Sequence, residues 1–164
     1  MIKVIGIDPG LAATGVAVLS GSGLTVSGFS YGTIKTSPSD KLSDRLNLIY
    51  TKLSLLLDAQ TPDLMVVEDV FSVEKFPQSG ITLGKVTGVI LLAGCRKNMR
   101  VLEIPVREAK QVLTGSGSCG KQQLEESVRH RLNHHQPIKP YHASDAMALA
   151  MIGLFRWGGQ VPVC

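Results

Sequence analysis

Four side chains carry the chemistry that this sequence offers: Asp8, Glu68, His142 and Asp145. Asp8 ends the run Val4-Ile5-Gly6-Ile7-Asp8 and is followed at once by Pro9-Gly10. The β-branched residues fit a buried strand and Pro-Gly reads as a tight turn, so this carboxylate stands where a buried strand emerges. Glu68 stands in the same relation to Leu64-Met65-Val66-Val67, a continuously apolar run of the kind found in strands covered on both faces. His142 and Asp145 lie three apart at the start of a helix that is apolar nearly all round from Ala146 onward, so they share a face. Each residue alone has an ordinary structural account. Asp8 can cap its turn, Asp145 can complement the helix dipole, and His142 can be a solvated residue near a helix start.

Taken together the four residues have a sharper consequence. In open α/β sheets the carboxyl ends of neighbouring parallel strands converge on the ligand crevice. Two carboxylates from such strand ends and one from a helix start make a dense negative cluster, strongly unfavourable without cations. Oxygen ligands of this kind suit Mg²⁺ or Mn²⁺, and an imidazole suits Mn²⁺ better. Two such ions can clamp the attacking water and the leaving oxygen of a phosphodiester. The N-terminus of the last helix also favours a nearby anion such as phosphate.

The elements that must position these groups follow from periodicity. Strands are predicted at Ile2–Asp8, Gly15–Ser20 and Leu24–Lys35, joined by short turns into a meander. Ser37-Pro38-Ser39-Asp40 starts a helix whose apolar positions run from Leu42 to about Asp58. After the strand ending at Glu68 comes a polar loop, Ser72–Gln78, broken by Pro77. A long helix is predicted from about Ser79 to Asn98, then a strand over Arg100–Ile104 stopped by Pro105. A short helix, Val106–Leu113, carries Arg107 and Lys110; a Gly/Ser loop, Thr114–Gly120, leads to a helix over Lys121–Leu132. The proline-interrupted loop His134–Tyr141 precedes the last helix, about His142 to Phe155. This order predicts an α/β fold with a mixed sheet: an antiparallel meander, then parallel strands flanked by helices. Gly80, Gly84 and Gly88 recur every four residues in the long helix, which lowers its propensity. Close approach of another backbone, from a core helix or a second subunit, would compensate.

Bulk properties set limits. A chain of 164 residues with 44% hydrophobic and 18% charged content excludes a disordered protein and suits one domain, taken as residues 1–157 with a short tail at 158–164. The net charge of +4 is uneven: residues 1–82 hold six Lys+Arg against eight Asp+Glu, and residues 83–164 hold eleven against five. The basic half suits a polyanion. Cys95, Cys119 and Cys164 form neither a C-x-x-C pair nor a disulfide framework, which fits a reducing compartment. No secretory leader is visible, and the apolar stretches Val89–Cys95 and Ala146–Phe155 are too short to span a bilayer. A cytoplasmic protein without a membrane role is expected. His130 and His134 are four apart and would share a helix face if the helix reached that far; His135 is a surface residue. Cys119, beside Gly120, is expected to be exposed.

The motif set as a whole resembles a RuvC-type Holliday junction resolvase. The blocks are Ile5-Gly6-Ile7-Asp8-Pro9-Gly10 with Thr14-Gly15, then Val67-Glu68-Asp69-Val70-Phe71, then His142-Ala143-Ser144-Asp145-Ala146-Met147-Ala148-Leu149-Ala150. Asp44-Arg45-Leu46, Leu83-Gly84, Lys110-Gln111 and Gly115-x-Gly117 fall between them in the family's order. The resemblance implies an RNase H-like fold with a five-stranded sheet and a homodimer. The implied activity is a Mg²⁺-dependent endonuclease that nicks two strands symmetrically across a four-way junction, with a branch-migration complex of the RuvA/RuvB type as a further partner. It implies that Asp8, Glu68, Asp145 and His142 are metal ligands and catalytic residues. The fourth site is Asp in some members and His in others. It implies that Phe71 lies against a base near the junction centre and that Lys110 and Lys121 face the DNA near the scissile phosphate. An aromatic in a polar loop serves as a core anchor or a stacking platform, and Phe76 competes with Phe71 for that task. A lysine beside a phosphate neutralises transition-state charge or helps protonate the leaving oxygen.

Several positions depart from the family pattern. Glu74 is acidic where the family has a basic loop, Pro77 falls near the helix start, and Thr87 replaces an arginine. These affect junction affinity and sequence preference and leave the acidic set untouched. Two other readings are compatible with parts of the sequence. One is a junction-binding protein of the same fold without catalysis. The other is an actin-like ATPase or kinase fragment, since a glycine turn after Gly-Ile-Asp also opens those proteins. Against the second, 164 residues are few for the usual pair of domains and no second phosphate motif is present.

Overall fold

The computed structural model describes residues 1–69 and 77–158; Phe71, Glu74, Phe76 and the tail from residue 159 lie outside the described residues. Ten elements occur in the order β1 Ile2–Asp8, β2 Ala13–Ser22, β3 Thr25–Lys35, α1 Leu42–Gln60, β4 Leu64–Glu68, α2 Pro77–Arg96, β5 Arg100–Ile104, α3 Val106–Thr114, α4 Lys121–Arg131 and α5 Tyr141–Trp157. They build one five-stranded sheet in the order β3-β2-β1-β4-β5. β1–β2 and β2–β3 pair antiparallel, whereas β1–β4 and β4–β5 pair parallel. This is the mixed sheet expected from the sequence.

Strand alternation decides which side chains meet. Val4 of β1 and Leu64 and Val66 of β4 belong to the core on the side of α3, α4 and α5. Ile5, Ile7, Met65 and Val67 belong to the core on the side of α1 and α2. Side chains alternate with a period of two, so Asp8 shares the face of Val4 and Glu68 shares the face of Val66. The last parallel pair between the strands is Ile7 with Val67, which puts Asp8 and Glu68 side by side one step further on. The β1–β2 ladder continues through Asp8 with Gly15. Pro9-Gly10 therefore does not release Asp8 from pairing; only the β4 side of β1 ends before it.

α5 covers this face, buried without a break from Ala143 to Leu154. It lies unusually close to the sheet because two strand glycines make room. A Cβ on Gly6 would run into the Ala146 carbonyl oxygen and come within 2.7 Å of Ala150 N, and one on Gly15 would run into the His142 carbonyl. From the helix side, a Cβ on Gly153 would come within 2.8 Å of Val4 Cγ1.

Four expectations change. α2 begins at Pro77, two residues before Ser79, as suits a proline at a first helical position. Gly84 and Gly88 meet nothing within 4 Å where a Cβ would stand, so among the described residues no backbone approaches them. Cys119 is buried, whereas Cys95 is exposed. α2 from Gln78 to Arg96 is long and apolar enough to cross a membrane by length and composition. In this fold it packs instead against α1 and β5 through Val86, Ile90 and Ala93.

Candidate active site

Asp8, Glu68, His142 and Asp145 meet at the end of the sheet where β1 and β4 finish and α5 begins. Asp8 is 5% exposed and Asp145 8%, while Glu68 and His142 are half-buried. Tyr141 is the first helical residue, so Asp145 sits just past the first turn of α5, one position deeper than the sequence suggested. His142 Nδ1 stands 2.6 Å from Asp8 Oδ2, with the carboxylate accepting.

The turn that carries Asp8 is tied down by two threonines, one of them braced in turn by Arg45. Thr14, fully buried, donates through its hydroxyl to the Gly10 carbonyl at 2.8 Å. Thr36 donates to the Leu11 carbonyl at 2.5 Å, and Arg45 Nε donates to the Thr36 hydroxyl at 2.8 Å. Arg45 thus links α1 to the loop beyond the site, a task its sequence position does not disclose. An open groove of ≈ 470 Å³ lies beside the turn, lined by Gly10, Leu11, Thr82, Leu83 and His142 among others.

The charges confirm that the groups are neighbours. Burial, then the Asp8 carboxylate through hydrogen bonding and through its charge, push Glu68 up to about 8, with Asp145 adding to the rise and Lys110 opposing it. Burial and the charge of Asp8 raise Asp145 to about 6, against the pull of Lys121, Lys110 and His142. The hydrogen bond to Asp8 raises His142 above its ordinary value, although burial and Lys121 act the other way. The crowding of negative charge thus favours proton uptake by the cluster as a whole. Lys110 and Lys121, from α3 and α4, both reach Asp145 electrostatically, and Lys110 reaches Glu68 as well.

Among the described residues, no three His, Cys, Asp or Glu groups surround one point as ligands of a single ion. His142 instead holds Asp8. The donor set still fits a hard divalent cation. Three carboxylates are present, and Asp145 Oδ1 is a buried oxygen without a hydrogen-bond partner among the described residues, costly unless something positive meets it. His130 and His134 do not pair on a helix face, because α4 ends at Arg131 and His134 packs on β3.

Sequence reasoning missed the residues that set this geometry. Gly6 and Gly15 carried a signal only as part of a motif, and their physical task shows only when α5 lies on them. Glu125 on α4 is a further case. It is 4% exposed and accepts from Arg129 Nε at 3.1 Å and from the Ile138 N–H at 2.8 Å, fixing the loop that leads into α5. A glutamate in a polar helix gives no sequence sign of such burial.

Comparison with known proteins agrees with the geometry. The family model described as crossover junction endodeoxyribonuclease RuvC matches residues 4–153. The crossover junction endodeoxyribonuclease RuvC of Prosthecochloris aestuarii is 37% identical over 151 residues, covering 92% of this chain and 80% of that protein. Its counterpart from Carboxydothermus hydrogenoformans is 36% identical, covering 96% of this chain and 99% of that protein. Among solved structures, T. thermophilus RuvC in complex with Holliday junction substrate superposes with a TM-score of 0.87 at 27% identity, covering 94% of both chains. The fold is thus RNase H-like, as the sequence resemblance implied, and with the match running through β1, β4 and α5, this chain belongs to the crossover junction endodeoxyribonuclease RuvC family.

Proposed function

We propose that this chain is a structure-selective DNA endonuclease that resolves four-way junctions by paired symmetric nicks, and that Asp8, Glu68, His142 and Asp145 form its divalent-metal site. The observation that carries the reading is the convergence of three carboxylates, two of them buried, with Asp145 Oδ1 buried and unpartnered. Mg²⁺, two ions with Mn²⁺ as a substitute, would supply activation of the attacking water and neutralisation of the leaving oxygen. The protein's own residues do the rest. Asp8 and Glu68 present oxygens from two adjacent strand ends, and His142 orients Asp8 through its 2.6 Å contact. Lys110 and Lys121 offset phosphate charge at the same place. Phe71 is assigned to the base beside the crossover on family resemblance alone.

Four-way junction DNA is the substrate, carried over from the substrate of the T. thermophilus protein. The catalytic unit is one domain over residues 1–157 acting as a homodimer in the cytoplasm, with a RuvA/RuvB-type branch-migration complex as a loading partner. The open face of α2 supports the dimer: Ile81 is 57% exposed and Leu92 50%, on either side of Gly84 and Gly88. Such apolar exposure flanking glycines suits a second helix.

The test is cleavage of a synthetic mobile four-way junction, with linear duplex as control, in Mg²⁺, Mn²⁺ and chelator. Paired nicks confined to the junction and to the metal-containing reactions are expected. Equal cutting of linear duplex would refute the selectivity, and binding without cutting in either metal would favour the non-catalytic reading.

A further inference from the structure

Between Glu126 and Asp145 the chain has no Asp or Glu, yet it holds Arg129, Arg131, Lys139 and four histidines. This stretch is the end of α4, the loop that follows, and the first residues of α5. Arg129 is engaged with buried Glu125, and the same carboxylate holds the Ile138 N–H, so the loop is pinned at its fully buried Ile138. The exposed side chains on it, His135 and Lys139 among them, are therefore displayed from a fixed backbone.

One end of the loop joins the edge strand. The His134 ring meets Phe29 edge-on, with centroids 5.4 Å apart, and its Nε2 lies 3.4 Å from the Tyr31 hydroxyl. Phe29 and Tyr31 themselves lie nearly parallel on β3, with centroids 6.5 Å apart. The other end joins the active site: Lys139 Nζ sits 3.4 Å from the centroid of the Tyr141 ring, and Tyr141 directly precedes His142. Along the sheet, Tyr31 pairs with Ala17 and Thr33 with Gly15, which pairs with Asp8. The aromatic pair thus begins two residues, about 7 Å of strand, from the row that holds the catalytic carboxylate.

We infer that this strip is a docking surface for a duplex arm of the DNA that the active site cuts. The arm's phosphate backbone passes Tyr141 and Lys139 and rests on His135, His134 and the β3 aromatic pair. Three observations select DNA as the occupant: the stretch adds Arg131 and Lys139 to the paired Arg129 and holds no Asp or Glu of its own, it is continuous with the catalytic end, and its planar rings alternate with donors. The inference rests on the junction-nuclease reading above.

The test uses the full chain with Lys139→Glu and His135→Glu together, two exposed positions outside the catalytic set. Junction affinity is expected to fall about tenfold, and the slope of log K against log salt to lose about one unit per phosphate contact. Hydroxyl-radical protection should disappear from one arm and persist at the crossover, while single-turnover cleavage at saturating junction stays within about twofold. Lys139→Arg should bind like the unaltered protein, which separates charge from folding. Unchanged affinity and footprint in the double variant would overturn the inference and leave the strip to a protein partner. Slower saturating cleavage with an intact footprint would overturn it too, because the strip would then act on the active site. If the unaltered protein neither binds nor cuts a junction, the underlying function fails, a result distinct from either of these.

Discussion

On one face of the sheet, Gly6 and Gly15 lie beneath α5 so closely that a methyl group on either would strike its backbone. On the other face, Gly84 and Gly88 of α2 look into open space. The same residue type serves opposite ends. Under α5, glycine lets a helix start be lowered onto two strand ends, which brings His142 and Asp145 to Asp8. On α2, glycine leaves a shallow surface between Ile81 and Leu92 that none of the described residues covers. The first face concentrates charge in a buried setting; the second exposes apolar area. Charge without a cation and apolar area without a cover are both unfavourable, and the ions and the second copy proposed above would relieve one each.

The largest effect should come from the charged face. Asp8→Asn, Glu68→Gln or Asp145→Asn should each lower single-turnover junction cleavage by about 10³-fold or more, roughly 4 kcal/mol of transition-state stabilisation. Junction affinity, read by gel shift, should stay within about threefold in each case. Full nicking by any of the three would remove that residue from the site.

The glycine contrast itself is tested next. Gly15→Ala and Gly6→Ala force a methyl group into helix backbone, which should cost about 3 kcal/mol and lower Tm by roughly 6–12 °C. Gly84→Ala meets no obstacle among the described residues and should stabilise the chain by about 0.5–1 kcal/mol through helix propensity, provided that no second helix packs there. A loss of stability at Gly84→Ala that grows with protein concentration would locate the partner at that position. Leu92→Glu should weaken dimerisation by about tenfold or more in analytical ultracentrifugation, roughly 1.4 kcal/mol. An unchanged dimer would place the interface elsewhere.

A smaller effect separates the faces by pH. Glu68 (about 8) and Asp145 (about 6) lie above their ordinary values of 4.5 and 3.8, and His142 is raised as well. The folded chain therefore binds more protons than the unfolded chain across this range, so stability falls as pH rises. For the carboxylates the loss runs from their ordinary values up to their raised ones. For His142, the stabilisation present at low pH is lost as pH rises through its raised value. In chelator, Tm should decline by a few degrees between pH 5 and 8, each degree worth about 0.3–0.5 kcal/mol. Mn²⁺ or Mg²⁺ should raise Tm more at pH 8 than at pH 5, because the ion competes with those protons. A metal-induced shift that does not depend on pH would contradict the proposed ligands.

Much of this was legible in the residue order. The runs ending at Asp8 and Glu68 are short and β-branched or continuously apolar, and strands of that kind declare themselves through composition. α5 declares itself through its unbroken apolar run. The site residues were legible because each stands at the junction of an apolar run and a turn or helix start. Burial at Cys119 and Glu125 was not legible, since it depends on which helices lie over that region. The exposure of Gly84 and Gly88 was hidden for the same reason: spacing places them on one face of α2 without saying what that face meets.

By itself, then, the sequence determined the elements, their order and the candidate acidic set, because hydrophobic periodicity and turn chemistry act over a few neighbouring residues. Only the tertiary structure decided that Asp8 and Glu68 are adjacent, that His142 touches Asp8, and that Asp145 is left with an unpartnered oxygen. Those facts depend on strand register and on how closely α5 approaches the sheet. Both are set by contacts between residues far apart in the chain, at glycines whose role is defined by what lies above them.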